Sequence, residues 1–363
     1  ILHFLGVDSE QAHENRKIMQ EFYSVLKPMS GNIHFLFITG ITRFSKTSLF
    51  SDMNHLHDIT IHRKFATICG YTQDEVEKHF TEDLKEIVQR DESSFLYLKE
   101  GLKNWYNGYR WDYQADSVYN PFSVLSFFSN QSTNFQNYWF STGMPTFLIQ
   151  TINQNEDYDF EEVDADQMML ENFSIDNLNS ITLLFQAGYL TIKDQMNTFF
   201  TLVYPNFEVK QALLASILKD KTHDPFVYPM VMKLKGYFEK RDEQKIRQSF
   251  DALFGKIPNL IFREKYEFYY HSILVVAMQL LGCYVDAKVS LNDGRVDAVV
   301  KTENYIYLIE FKVRESAEQA IQQIKDKSYY QAYLEEGKQI LLMGILFEDK
   351  KVKEMKVEEY FLN

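Results

Sequence analysis

The stretch Gly294-Arg295-Val296-Asp297-Ala298-Val299-Val300-Lys301-Thr302-Glu303-Asn304-Tyr305-Ile306-Tyr307-Leu308-Ile309-Glu310-Phe311-Lys312-Val313 decides how the last third of the chain is read. Two strand-like runs, Arg295–Thr302 and Tyr305–Val313, are separated by Glu303-Asn304, which is a hairpin length. With a two-residue turn, Thr302 faces Tyr305, and counting outward along both strands brings Asp297 opposite Glu310. Two carboxylates placed so close repel unless a proton or a cation lies between them, and a divalent metal removes the repulsion. Lys312, two residues beyond Glu310, shares its face by strand alternation. Glu310 interrupts an otherwise apolar strand, where charge is costly to bury unless it serves a partner or a ligand. A surface hairpin with its charges in water suits Lys301, Glu303 and Glu315. It explains poorly why a carboxylate and a lysine break the apolar strand together. A three-residue loop would shift the register by one and undo the pairing.

Around this hairpin the pattern reads helix Glu264–Leu281, strand Tyr284–Leu291, the two central strands, helix Ser316–Glu335 and strand Gln339–Phe347. Residues 225–257 read as helical and carry no recognisable chemistry. Upstream, a helix from Ser174 to Ala187 with Gly188 as its stop is followed by strands Tyr189–Ile192 and Phe199–Val203 and a helix to Leu218. That is the order of a winged-helix unit, although few Lys or Arg stand where a recognition helix would need them, which favours a scaffolding role. Asn153–Asp166 is acidic, lacks apolar periodicity and reads as a solvated connection.

In the first part, residues 9–27 read as a helix, and Ile33–Thr39 is an almost continuous apolar run of the kind that forms a strand covered on both faces. Thr72 and Glu75 form a capping box for a helix toward Gln89. Asn120 and Pro121 start another, and Pro145 a third. Trp105–Trp111, with Asn107-Gly108 as a turn, reads as an ordered loop. Gly40-Ile41-Thr42-Arg43-Phe44-Ser45-Lys46-Thr47 approaches a phosphate loop, but Ser45 replaces the second glycine and hinders the amide cradle. A strand end pointing Thr39 or Arg43 at a phosphate bound elsewhere, or a plain turn with no ligand, fits these residues better.

The 363 residues suffice for two or three domains with substantial cores. With 45% hydrophobic and 25% charged residues, 14 Gly and 7 Pro, collagen-like and largely disordered readings are excluded. Cys69 and Cys283 are isolated, which argues against a disulfide framework or a structural zinc and for a reducing, cytoplasmic compartment. No apolar run is long enough for a membrane span, so no membrane partner is expected. A net charge of -13 argues against a protein that coats nucleic acid, but not against an enzyme that cuts it. The opening on Ile1 in mid-pattern suggests upstream sequence.

Asp297, Glu310 and Lys312, following Gly294-Arg295-Val296, resemble the active-site signature of the PD-(D/E)XK nuclease superfamily, with Val296 in place of the leading proline. The resemblance implies a restriction-endonuclease-like mixed sheet flanked by helices. It implies Mg²⁺, with Mn²⁺ as a substitute, on Asp297, Glu310 and the Phe311 carbonyl, and Lys312 orienting the attacking water and the phosphate charge. Hard oxygen ligands suit such a cation. Glu267 matches the additional acidic residue of many of these nucleases, and Gln323 and Tyr329 resemble the Gln and Tyr of the RecB-like branch, which contact DNA or tune the site. Each of the three also reads as an ordinary residue of an amphipathic helix.

Phe37–Lys46, Ile68-Cys69-Gly70-Tyr71-Thr72, Trp105–Arg110, Tyr119-Asn120-Pro121-Phe122, Tyr138–Gly143 and Gly188–Ile192 look like the bacterial proteins that fuse an AAA-ATPase-like domain to a PD-(D/E)XK nuclease domain. The implied organisation is an α/β multidomain chain. It comprises a partial P-loop-ATPase-like α/β and helical region (1–152), a winged-helix-like connector (153–223), a helical linker (224–257) and a nuclease-like domain (258–363). In that family the phosphate loop and the Walker B strand lie upstream of the segment that starts here. ATP would then be a cofactor of the full-length protein only, hydrolysis by this chain alone is not expected, and Thr39 and Arg43 would be sensor-like. The expected activity is Mg²⁺-dependent phosphodiester hydrolysis of nucleic acid, DNA ahead of RNA, by a chain that could self-associate. The alternatives are a nucleotide-regulated binding or signalling module with a silent nuclease fold, and an assembly protein using its 23 Tyr and 30 Phe.

Overall fold

The structure, a computed structural model, describes residues 9–40, 56–131, 133–142, 146–155, 158–171, 179–255, 266–281 and 296–360. It divides into two compact units, Ile1–Leu213 and Leu214–Asn363.

The first unit is mainly helical: α1 (Ser9–Ser24), α2 (Gln73–Asp91), α3 (Phe95–Tyr106), α4 (Pro121–Asn130) and α5 (Thr146–Asn155). The Thr72 hydroxyl accepts from the Glu75 N–H while the Glu75 carboxylate accepts from the Thr72 N–H, so both orphan donors of the first turn of α2 are satisfied. Asn120 caps α4 through the Phe122 and Ser123 N–H groups, with Pro121 in the first turn. Leu84, Ile87, Leu98, Leu102, Tyr106, Val124 and Phe127 form the core between α2, α3 and α4. Trp105 and Tyr106 belong to the last turn of α3 rather than to a loop. Gly108 then turns the chain at φ +109°, where an added Cβ would lie 1.8 Å from the Pro205 carbonyl oxygen.

Ile33–Thr39 is not a strand here. It runs without regular structure, with Phe35 and Phe37 exposed and stacked on each other. An apolar run becomes a central strand only when neighbours pair its backbone, and none of the described residues does so. Asn153–Asp166 also departs from expectation. Asn153–Asn155 end α5, Tyr158 and Phe160 are buried, and Val163–Asp166 forms strand β1. After α6 (Gln167–Glu171) and α7 (Ser180–Gln186), β2 (Thr191–Met196) and β3 (Phe199–Val203) form a hairpin. Together with β1 they give an antiparallel sheet in the order β1-β3-β2, and α8 (Phe207–Thr222) follows.

The second unit contains α9 (Val227–Glu239), α10 (Glu243–Gly255), α11 (Tyr266–Leu280), β4 (Ala298–Lys301), β5 (Tyr305–Lys312), α12 (Ala317–Asp326), β6 (Gln339–Glu348) and β7 (Lys351–Glu359). Its mixed sheet runs β4-β5-β6-β7, antiparallel, parallel and antiparallel in turn, with α12 in the β5–β6 crossover. One face packs Val299, Leu308 and Leu342 under Ile321, Ile324, Tyr329 and Tyr333. On the other face the Tyr307 hydroxyl donates to the Phe238 carbonyl of α9, and Phe311 and Phe347 meet Phe250 of α10. This is the mixed sheet flanked by helices that the resemblance implies.

The expected single helix Ser316–Glu335 is broken. It ends at Asp326, Ser328 adopts φ +52°, and Tyr329–Glu336 continues as a 3-10 segment that turns Tyr329 and Tyr333 into the core. The expected strand Tyr284–Leu291 lies outside the described residues.

Candidate active site

The two-residue hairpin is present. The Thr302 N–H donates to the Tyr305 carbonyl at 2.8 Å, and the Tyr305 N–H donates to the Thr302 hydroxyl at 3.0 Å. The ladder pairs Lys301 with Ile306 and Ala298 with Ile309, so the next positions outward are Asp297 and Glu310. One carboxylate oxygen of Asp297, Oδ2, accepts from the Phe311 N–H at 2.8 Å, which fixes the aspartate beside the end of β5.

Glu310 is 4% exposed, in a strand whose neighbours Leu308 and Ile309 are fully buried. Its Oε1 accepts from the Gln323 amide at 2.5 Å, whereas its Oε2 is buried and has no hydrogen-bond partner. Burial raises the Glu310 carboxyl pKa, the negative charge of Asp297 raises it further, and Lys312 opposes both. The outcome is about 8. A buried carboxyl group with one vacant oxygen facing a second carboxylate is the environment that a cation relieves.

Lys312 donates to the Gln323 Oε1 at 2.5 Å and lies 3.7 Å from Glu310 and 3.5 Å from Glu315. Gln323, on α12, therefore bridges the lysine and the glutamate with the two ends of one amide. Tyr329 is placed differently from a DNA-contacting residue of a helix face: it is 2% exposed and packs in the core beneath the site. Burial raises its hydroxyl pKa, the Glu310 charge acts in the same direction, and a hydrogen bond with Gln323 opposes. Asp297, Glu310, Lys312 and Gln323 thus converge at one end of β5, with Tyr329 behind them.

Glu267 falls in α11, and its side chain lies outside the described residues. Thr39 is exposed in the irregular segment, and Arg43 lies outside the described residues, as do residues 41–47 of the phosphate-loop-like stretch. Among the described residues no three His, Cys, Asp or Glu side chains gather as a metal cluster.

Sequence reasoning missed Gly344, which lies beside Glu310 in the β5–β6 ladder. A lone glycine in an apolar strand was the available signal. It also missed Glu315, the second acidic neighbour of Lys312, whose spacing three residues on is the signal.

Residues 265–357 match the family profile of the PD-(D/E)XK nuclease superfamily, and residues 1–50 match that of a predicted AAA-ATPase. The chain thus carries an AAA-ATPase-like segment and a PD-(D/E)XK nuclease-superfamily domain. Asp297, Glu310, Lys312 and Gln323 all lie within the matched PD-(D/E)XK span. A curated relative, an uncharacterized protein in the vnfD 5' region of Azotobacter chroococcum mcd 1, is 35% identical over 351 residues. That alignment covers 93% of this chain and 65% of the relative, so the chain spans less than two thirds of the length of the relative it matches. No solved structure matches. No helix among the described residues is long and apolar enough to cross a membrane.

Proposed function

We propose that the PD-(D/E)XK domain is a divalent-metal-dependent nuclease whose centre is Asp297, Glu310, Lys312 and Gln323. The observation that carries this reading is the buried, unpartnered Oε2 of Glu310 across the hairpin from Asp297. Two carboxylates and the Phe311 carbonyl form a hard oxygen donor set suited to Mg²⁺, with Mn²⁺ as a substitute. When bound, such a cation polarises the phosphoryl group and lowers the pKa of water.

The chain's own residues do the rest. The Phe311 N–H holds one oxygen of Asp297 and so directs the other. Gln323 holds Oε1 of Glu310, which leaves Oε2 for the cation, and accepts from Lys312, which aims the ammonium. Lys312 then donates to a phosphate oxygen and stabilises the charge that develops there. Tyr329, from the core, fixes Gln323. Glu267 supplies a further carboxylate from α11.

DNA is the proposed substrate, in the cytoplasm, with cleavage coupled in a longer protein to an ATPase-like domain near which Thr39 and Arg43 act as nucleotide sensors. The acidic chain leaves substrate capture to local cations such as Lys312 rather than to a broad basic face. The hairpin β2–β3 with α7 and α8 is proposed as a winged-helix-like connector with a scaffolding role.

The test is cleavage of plasmid DNA, single-stranded DNA and RNA with Mg²⁺ or Mn²⁺ by the parent, Asp297→Asn and Lys312→Met. Metal-dependent cleavage by the parent alone is expected. Equal cleavage by all three would refute the assignment, and metal binding without cleavage of any substrate would favour a silent nuclease fold.

A further inference from the structure

Gly344 lies directly beside Glu310 across the parallel β5–β6 ladder. A Cβ built on it would stand 2.0 Å from the Ala317 carbonyl oxygen and 3.0 Å from the Ala320 Cβ. The nearer obstacle is helix backbone, so no side-chain rotation relieves it and α12 itself would have to move. Ala317 and Ala320 are 3% and 0% exposed, so the helix rests on β6 at the glycine through the Ala317 carbonyl and the Ala320 methyl group. A glycine inside a strand serves where another backbone approaches this closely.

Gln323 follows Ala320 by about one turn of the same helix, and its amide meets both Glu310 and Lys312 at 2.5 Å. Hydrogen bonds of this type usually span about 2.7–3.2 Å and weaken beyond that. Raising the helix by about 1 Å, the least that brings the 2.0 Å contact out to the edge of what real Cβ atoms show, stretches both bonds out of that usual range.

We propose that Gly344 is a positioning residue for the active site: its missing side chain sets the height of α12 above the sheet, and that height aims the Gln323 amide at Glu310 and Lys312. The proposal rests on the reading of Asp297 and Glu310 as metal ligands. Groups that orient metal ligands typically change metal affinity by about 10- to 100-fold when removed.

The experiment is calorimetric titration of the whole chain with Mn²⁺, beside thermal melting without metal. It compares the parent, Asp297→Asn, Gly344→Ala, Gln323→Asn and the double variant Gly344→Ala/Gln323→Asn. The parent is expected to bind and Asp297→Asn to fail. Gly344→Ala should weaken binding by about 10- to 100-fold. Gln323→Asn shortens the reach by one methylene with no clash, so it should weaken binding similarly while melting like the parent. The double variant should bind no worse than Gln323→Asn alone. Parental affinity in Gly344→Ala overturns the proposal, as does a further loss in the double variant. Should Gly344→Ala not fold, parental affinity in Gln323→Asn overturns it equally. A parent that binds no Mn²⁺ removes the metal-ligand reading and the proposal with it, and that result is distinct from the others.

Discussion

Among the described residues each unit buries one glutamate almost completely, and the two are treated differently. Glu208, in the first turn of α8, is 0% exposed and has both oxygens engaged. Ser123 Oγ donates to Oε2 at 2.7 Å, and the Tyr138 and Trp139 N–H groups donate to Oε1 at 2.7 and 3.0 Å. Burial raises its pKa and these three donors oppose the shift. Glu310 receives the Gln323 amide on Oε1, with the Asp297 backbone and Lys312 as weaker partners, faces a second carboxylate and keeps Oε2 without a hydrogen bond. A buried carboxylate with both oxygens engaged is architecture: it ties Ser123 and the backbone of residues 138–139 to the start of α8. A buried charge left incomplete beside a like charge is unfavourable by itself and is tolerated where something else completes it. The difference separates a structural carboxylate from the one proposed as a ligand, although both are single acidic residues among apolar neighbours.

The largest expected effect is on the structural side. Glu208→Ala leaves two buried donors and one half-buried donor without their acceptor, at about 1–3 kcal/mol for each buried one before relaxation, so a loss of roughly 3–5 kcal/mol in urea unfolding is expected. Glu310→Gln, by contrast, removes a repulsion and should leave stability unchanged or higher at pH 8. If both variants destabilise equally, the two carboxylates are of one kind and the contrast fails. Lys312→Met comes next. Removal of one aimed donor should lower metal-dependent cleavage by about 10²- to 10³-fold while Mn²⁺ binding persists.

The pH dependence sharpens the contrast further. The Glu310 carboxyl, raised from 4.5 to about 8 in the fold, holds a proton that the unfolded chain has already released over that range. Its contribution to stability therefore falls as pH rises from about 4.5 to about 8. Glu208, also raised, acts in the same direction. Glu310→Gln should make the metal-free stability profile flatter but not flat, because the Glu208 share remains. Mn²⁺ affinity of the parent should rise through the same range as Glu310 gives up its proton, and a pH-independent affinity would contradict the assignment. The smallest effect is far from the site: Thr72→Ala breaks the capping box of α2, costs about 1 kcal/mol and leaves metal affinity untouched.

What was legible in the sequence was local. Glu303-Asn304 between two apolar strands sets a hairpin register by length alone, and that register brings Asp297 and Glu310 together. The caps at Thr72 and Asn120 were legible for the same reason, since a side chain and a backbone donor three residues on need nothing else. The vacancy at Glu310 and the satisfaction of Glu208 were not, because Ser123 and residues 138–139 are distant in sequence from Glu208. Ile33–Thr39 has the composition of a buried strand, but composition does not supply the neighbouring backbone. The break at Ser328 has no glycine or proline to announce it, and burial of Tyr329 and Tyr333 overrides helical continuity. Strand β7 carries Lys351, Lys353, Glu354, Lys356, Glu358 and Glu359, so its β structure comes from pairing with β6 and not from its own propensity.

The most direct test of the central claim is calorimetric titration of Mn²⁺ into the parent, Asp297→Asn and Glu310→Gln at pH 8. The account predicts one site in the parent, absent from both variants, with all three folded. A parent that takes up no Mn²⁺ at millimolar concentration, or a Glu310→Gln variant that binds like the parent, would contradict it.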